Sequence, residues 1–133
     1  MKVLWLDNSP DVQNAMNIAL DELKSSKILL DAGQYRSSIA SSYFAIFSAT
    51  KSLLFLKNRY VKTHKGLINA FIEEYYNTGE FSDELYKCLT RSHTLRREAD
   101  YDFSKKFNKN DALKRFDCAE KFIRKAQTII NKN

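Results

Sequence analysis

Proline and glycine are scarce in this 133-residue chain, with one Pro and three Gly. So few breakers favour long helices and argue against a many-turned β-sandwich or a Gly-rich phosphate loop. Cysteine is equally sparse. Cys88 and Cys118 are too few for a disulfide framework or a four-ligand zinc site, and they read as the thiols of a reduced, cytoplasmic protein. No apolar run approaches the ~18 residues that a membrane span needs, so no membrane partner is expected. The opening MKVLWLDNSP has one Lys and too short an apolar stretch for a secretion signal. No G-x-x-x-x-G-K-[ST], G-x-G-x-x-G or H-E-x-x-H occurs, and the carboxylates do not pair with histidine as a di-metal bundle requires. A standard phosphate cradle, a bound metal and a cofactor are therefore not expected.

What is present is an ordinary globular balance, 44% hydrophobic and 29% charged, at a length that suits one domain over residues 1–133 with 1–9 as an N-terminal arm. The formal charge is +6, and it is lopsided. Residues 1–103 hold as many acids as bases, 13 of each, whereas residues 104–133 hold 9 bases against 3 acids. A basic C-terminal element can attract phosphate backbones or an acidic partner. The plainer reading is a solvated helix face with cations placed where the helix dipole favours them.

Five helical segments follow from the periodicity. Pro10 after Ser9 marks a helix start, and Val12, Ala15, Met16, Ala19, Leu20, Leu23 and Leu30 trace one stripe that Gly33 ends. Gln34 to Asn58 repeats Tyr35, Ile39, Ser42, Tyr43, Ile46, Phe47, Thr50, Leu53 and Leu54 at three and four, with dense small residues between them. Phe44 and Phe55 fall off that stripe, so this helix is expected to be buried on more than one side. Thr63 caps a short third segment carrying Leu67, Ile68, Phe71, Ile72 and Tyr75, and Ser82 starts a fourth with Leu85, Cys88, Leu89, Ser92, Leu95 and Ala99 inward. Tyr101 to Asn110 reads as a linker, and Asn110 or Asp111 as the cap of a fifth helix with Ala112, Phe116, Ala119, Ile123, Ala126 and Ile130 inward. The fold class is all-α, an up-and-down bundle of four to five helices.

The densest polar run is Arg91-Ser92-His93-Thr94-Leu95-Arg96-Arg97-Glu98-Ala99-Asp100-Tyr101-Asp102. If the fourth helix reaches Tyr101, then His93, Arg97 and Asp100 share one flank at i, i+4 and i+7. A guanidinium there holds phosphate by a two-pronged hydrogen bond, and an imidazole moves protons near neutral pH. The structural alternative is a salt-bridged face in which Asp100 pairs Arg96 or Arg97 and Tyr101 caps the core. His64, before Lys65 and Gly66, sits at a helix start where it orders the loop.

Four stretches resemble the HEPN family, the higher-eukaryote and prokaryote nucleotide-binding helical domains. They are Tyr35 to Leu54, Thr63-His64-Lys65-Gly66-Leu67 with Phe71, Thr78-Gly79, and Arg97-Glu98-Ala99-Asp100-Tyr101 before a last helix with Ala119, Phe122 and Ile123. Together they span about residues 11–131, and the R-x-x-A-D-Y stretch is similar to the small prokaryotic branch.

The resemblance implies a helical bundle that forms homodimers and pairs with a minimal nucleotidyltransferase in a toxin–antitoxin-type module, with nucleotide- or RNA-directed binding. It also implies, as an alternative, a metal-independent ribonuclease toxin whose Arg, four to six residues, then His motif meets its copy across the dimer. On that reading the catalytic candidates are Arg97, His93, Asp100 and Tyr101, and the binding candidates are Arg96, His64 and Lys65. Tyr101 also stands where some family members are nucleotidylated by their partner. The chain departs from the motif: after Arg97, positions 102–104 hold Asp102, Phe103 and Ser104, and His93 precedes the arginine. A third reading is a nucleic-acid-binding module that uses the basic C-terminal helix.

Overall fold

The computed structural model describes residues 10–132, which form five α-helices and no strand. They are α1 (Pro10–Asp31), α2 (Tyr35–Leu56), α3 (His64–Phe71), α4 (Asp83–Tyr101) and α5 (Lys109–Asn131). The all-α bundle expected from the sequence is what these residues build. The N-terminal arm expected over residues 1–9 lies outside the described residues.

α2 is the axis of the bundle and packs against every other helix. Its buried residues include Ser38, Ile39, Ser42, Tyr43, Ala45, Ile46, Ala49, Ser52 and Leu53, so its burial passes well beyond one stripe. Length and composition alone would let α2 cross a membrane. Its faces are instead covered by its neighbours. Small side chains let α1 approach closely: the hydroxyls of Ser26, Ser38 and Ser42 meet in the seam, with Ser26 Oγ 2.5 Å from Ser42 Oγ and 3.1 Å from the Ser38 carbonyl. All three serines are fully buried, so these bonds meet a polar requirement that the close packing creates. Ser52 Oγ donates to the Val12 carbonyl at 2.7 Å and ties the far end of the same seam.

Local signals end the helices largely where the sequence places them. Gly33 (φ 78°) closes α1, with its amide on the Leu30 carbonyl and that of Gln34 on Leu29. Thr63 caps α3 by accepting from the Gly66 amide, and Ser82 caps α4 by accepting from Leu85. Two details differ. The α1 stripe runs through Ser26 and leaves Leu20 37% exposed. The cap of α5 is Asn108, not Asn110 or Asp111. Asp111 is the reciprocal member of a capping box, its carboxylate accepting from the Asn108 amide, and the linker shortens to 102–108. Between α3 and α4 the chain widens into one π turn, Ile72–Tyr76, which buries Tyr75 and lets its hydroxyl donate to the Leu53 carbonyl at 2.5 Å.

The reading of the cysteines as free thiols is corrected. Cys88 on α4 and Cys118 on α5 form a disulfide, with Cα atoms 5.4 Å apart. Two cysteines make no framework, but one suffices to staple two facing helices. Spacing along a chain cannot reveal such a pair; it becomes visible when two antiparallel helices bring the residues opposite each other.

Candidate functional site

α4 extends to Tyr101 as the flank argument required, yet its polar residues separate into two groups. His93 and Arg96 turn inward over α2, whereas Arg97 and Tyr101 face solvent. Asp100 pairs with Arg96 at 3.4 Å, the structural alternative raised above. Tyr101 does not cap the core, being 78% exposed.

The inward group is joined by residues from two other helices. Tyr43, fully buried on α2, places its hydroxyl 2.5 Å from Nδ1 of His64, the first residue of α3. The His64 ring lies nearly parallel to that of His93, 15° apart with centroids at 5.2 Å, and Tyr43 touches both. Phe47 packs on His64 at 4.9 Å. The Arg96 guanidinium covers the Phe44 ring at 4.3 Å. One wall of this nest is aromatic, and its polar groups are two imidazoles, a phenol and a guanidinium.

The electrostatics follow from that composition. Burial, then Arg96 and Lys51, hold the His64 pKa below its ordinary value. Burial, then His64, Arg97 and Arg96, do the same for His93. Burial pushes the Tyr43 phenol well up, against the opposing pull of Arg96. At neutral pH the phenol keeps its proton and shares a hydrogen bond with Nδ1 of a neutral His64. Two neutral imidazoles side by side next to a fixed positive charge can accept a proton from, or return one to, a group that brings its own negative charge.

The outward group lines a depression of about 310 Å³ formed by Thr94, Arg97, Glu98, Tyr101 and Asp102. The backbone beyond it is fixed by Arg36 of α2, which donates to the carbonyls of Ala99 and Lys105 and lies over the Phe107 ring. Lys105 reaches back to Glu98 at 2.6 Å. Lys65 is exposed one residue after His64.

A family model described as the HEPN domain matches residues 12–129. The chain belongs to the HEPN family. It is 38% identical to "Putative toxin MJ0605" of Methanocaldococcus jannaschii over 71% of each chain. It is 35% identical to a UPF0332 protein of Archaeoglobus fulgidus, covering 86% of this chain and 99% of that one. A second M. jannaschii protein, "Putative toxin MJ0142", is 25% identical over 99% of this chain and 85% of its own length.

Within this HEPN bundle, the place where the family's motif would put a histidine after Arg97 lies past the end of α4. Asp102 is the C-cap there, and its carboxylate accepts from the Ser104 hydroxyl at 2.6 Å, a bond that lowers its pKa. Such a carboxylate is ionised at neutral pH and donates no proton. The imidazoles of this HEPN chain stand instead on the inner side of α4 and at the start of α3. Sequence reasoning singled out both histidines but separately, and it counted Tyr43 only as core. The available signal was a tyrosine in an otherwise apolar stripe, whose buried hydroxyl needs a partner.

Proposed function

We propose that this HEPN chain is the toxin half of a two-component module whose other half is a minimal nucleotidyltransferase, and that its target is RNA. The nest of Tyr43, His64, His93 and Arg96 carries the reading. Cleaving RNA without a metal takes a proton acceptor for the ribose 2′-hydroxyl, a proton donor for the departing 5′-oxygen, and a cation for the phosphorane charge. The stacked imidazoles of His64 and His93 supply the first two. As the 2′-oxygen bonds to phosphorus, one ring takes its proton; as the P–O5′ bond breaks, the other protonates the leaving oxygen. The approaching phosphate raises the proton affinity of both rings, so one of them takes up a proton from solvent and is an imidazolium when substrate is bound, while the other stays neutral. Arg96, oriented by Asp100, faces the phosphate. Lys65, exposed beside His64, draws the backbone in. The names of the M. jannaschii relatives support the toxin role.

A second reading, cleavage through Arg97 across a homodimer seam, is favoured by the exposure of Tyr101 at 78% and Phe103 at 89% beside the Arg97 depression. Expression of the chain in a bacterial host, with RNA integrity followed on gels, separates the two. Growth arrest and RNA fragmentation that disappear in His93→Asn, persist in Arg97→Ala and are suppressed by the co-expressed nucleotidyltransferase support the first reading. Loss in Arg97→Ala alone supports the second. Intact RNA during growth arrest overturns both.

A further inference from the structure

The disulfide fixes the register of α4 against α5, and one turn away from it Arg115 of α5 reaches Ser92 of α4. Arg115 lies three residues before Cys118, and Ser92 four residues after Cys88, so antiparallel packing brings them together. Arg115 Nη1 stands 3.4 Å from the fully buried Ser92 hydroxyl, and its Nε is buried with no hydrogen-bond partner. Arg91 precedes Ser92 on α4 and is exposed. Its charge, after burial, is the second influence that makes the Arg115 guanidinium less basic than usual.

No carboxylate answers these two charges among the described residues. On α4, Glu84 pairs with Lys121, Glu98 with Lys105 and Asp100 with Arg96, while Asp83 takes the Tyr76 hydroxyl. On α5, Asp111 is held in the capping box and Glu120 pairs with Arg124. Asp117 is exposed and, two residues from Arg115, points away around the helix. α2, which packs on both helices, has no acidic residue, and its Arg36 is bound to the Ala99 and Lys105 carbonyls. A half-buried guanidinium beside a second cation, with an unused N–H, is costly to hold unless an anion meets it. A guanidinium also has the planar fork that accepts a tetrahedral oxyanion.

We propose that Arg91 and Arg115 form a phosphate-binding site on the α4–α5 face, separate from the imidazole nest and on the other side of α4. Its ligand is a phosphate group, from an RNA backbone or a mononucleotide. The site does not depend on the toxin reading, because occupancy is measured on purified protein without any cleavage.

The test is thermal unfolding of the disulfide-intact chain in inorganic phosphate against chloride at matched ionic strength, together with the Arg115 Nε–H resonance in heteronuclear spectra. The expected result is a saturable rise in midpoint with phosphate and a saturable shift of that resonance. Loss of one charge-assisted contact in Arg91→Gln weakens apparent affinity about tenfold or more. Arg115→Gln does the same, and Arg91→Gln, at an exposed position, keeps the test open if the Arg115 variant does not fold. An oligoribonucleotide that displaces phosphate identifies the backbone as its source; displacement by adenosine monophosphate but not by the oligonucleotide identifies a mononucleotide. No saturable effect beyond chloride, or an unchanged effect in Arg91→Gln, overturns the proposal.

Discussion

Breaking the disulfide is the perturbation with the most direct route from covalent structure to the site. α4 carries His93, Arg96 and Arg97, yet its fully buried residues are Cys88, Leu89, Ser92 and Ala99. Leu89 is the one large apolar side chain among them, with Leu85, Tyr86 and Leu95 partly buried beside it, so the Cys88–Cys118 bond reinforces a modest apolar anchorage. The cross-link closes a separation of 30 residues, for which loop-closure entropy gives about 3.6 kcal/mol of stabilisation. With an unfolding entropy of about 2.1 cal/mol/K per residue over a chain of this length, the midpoint falls by about 13 °C on reduction. Thermal unfolding with and without dithiothreitol measures this, and Cys118→Ala, which sits at a less buried position than Cys88, gives the same shift without reductant. Hydrogen exchange then shows the largest loss of protection in α4. A midpoint that moves by less than about 2 °C, or two free thiols by mass spectrometry in protein purified without reductant, refutes the reasoning.

Two further outcomes follow from the packing and the titrating groups. Both imidazoles have folded-state pKa values below their ordinary 6.5, so the unfolded chain takes up protons first. Their contribution to stability is complete above pH 6.5 and is lost as pH falls through the lowered folded values; urea unfolding from pH 7.5 to 5 shows that slope, and it flattens in His64→Asn/His93→Asn. In the α1–α2 seam, Ser42→Ala costs about 1 kcal/mol, since Ser26 keeps the Ser38 carbonyl. Ser42→Leu forces the helices apart at a cost of about 3 kcal/mol, read from urea midpoints.

The helices were legible because their signals are local. Gly33, Thr63 and Ser82 each act within one turn of themselves, and each ends or starts a helix where the periodicity says. The α5 cap was misplaced by two or three residues because Asn108, Asn110 and Asp111 all have capping side chains, and only the reciprocal bond between Asn108 and Asp111 decides among them. The disulfide and the histidine nest were not legible, for one shared reason. Cys88 meets Cys118 and His64 meets His93 across about thirty residues, and such pairs depend on which helices become neighbours and in what rotation. Arg96 and Arg97 illustrate the rotation: adjacent in sequence and alike in chemistry, they point about 100° apart, one over Phe44 and the other to solvent.

That rotation bears on what the departure from the family's arginine-then-histidine order means. A histidine at 102–104 would sit at or just past the C-cap of α4, on the exposed loop that Arg36 fastens, and would need a second chain to be shielded from water. His93 is nine to eleven residues earlier and faces inward, where Tyr43 and His64 of the same chain pack on it. A proton relay built there has all its groups in one subunit, held by α2, the best-buried helix of the bundle. Its basicity is set by contacts that dimerisation does not create. A second copy, joined at the exposed Tyr101 and Phe103, would then govern how RNA reaches the nest and leave the chemistry inside it unchanged. This is why the His93→Asn and Arg97→Ala outcomes discriminate: the first removes an imidazole of the nest, and the second removes a solvent-facing cation that only lowers the basicity of that imidazole unless the site lies at the seam.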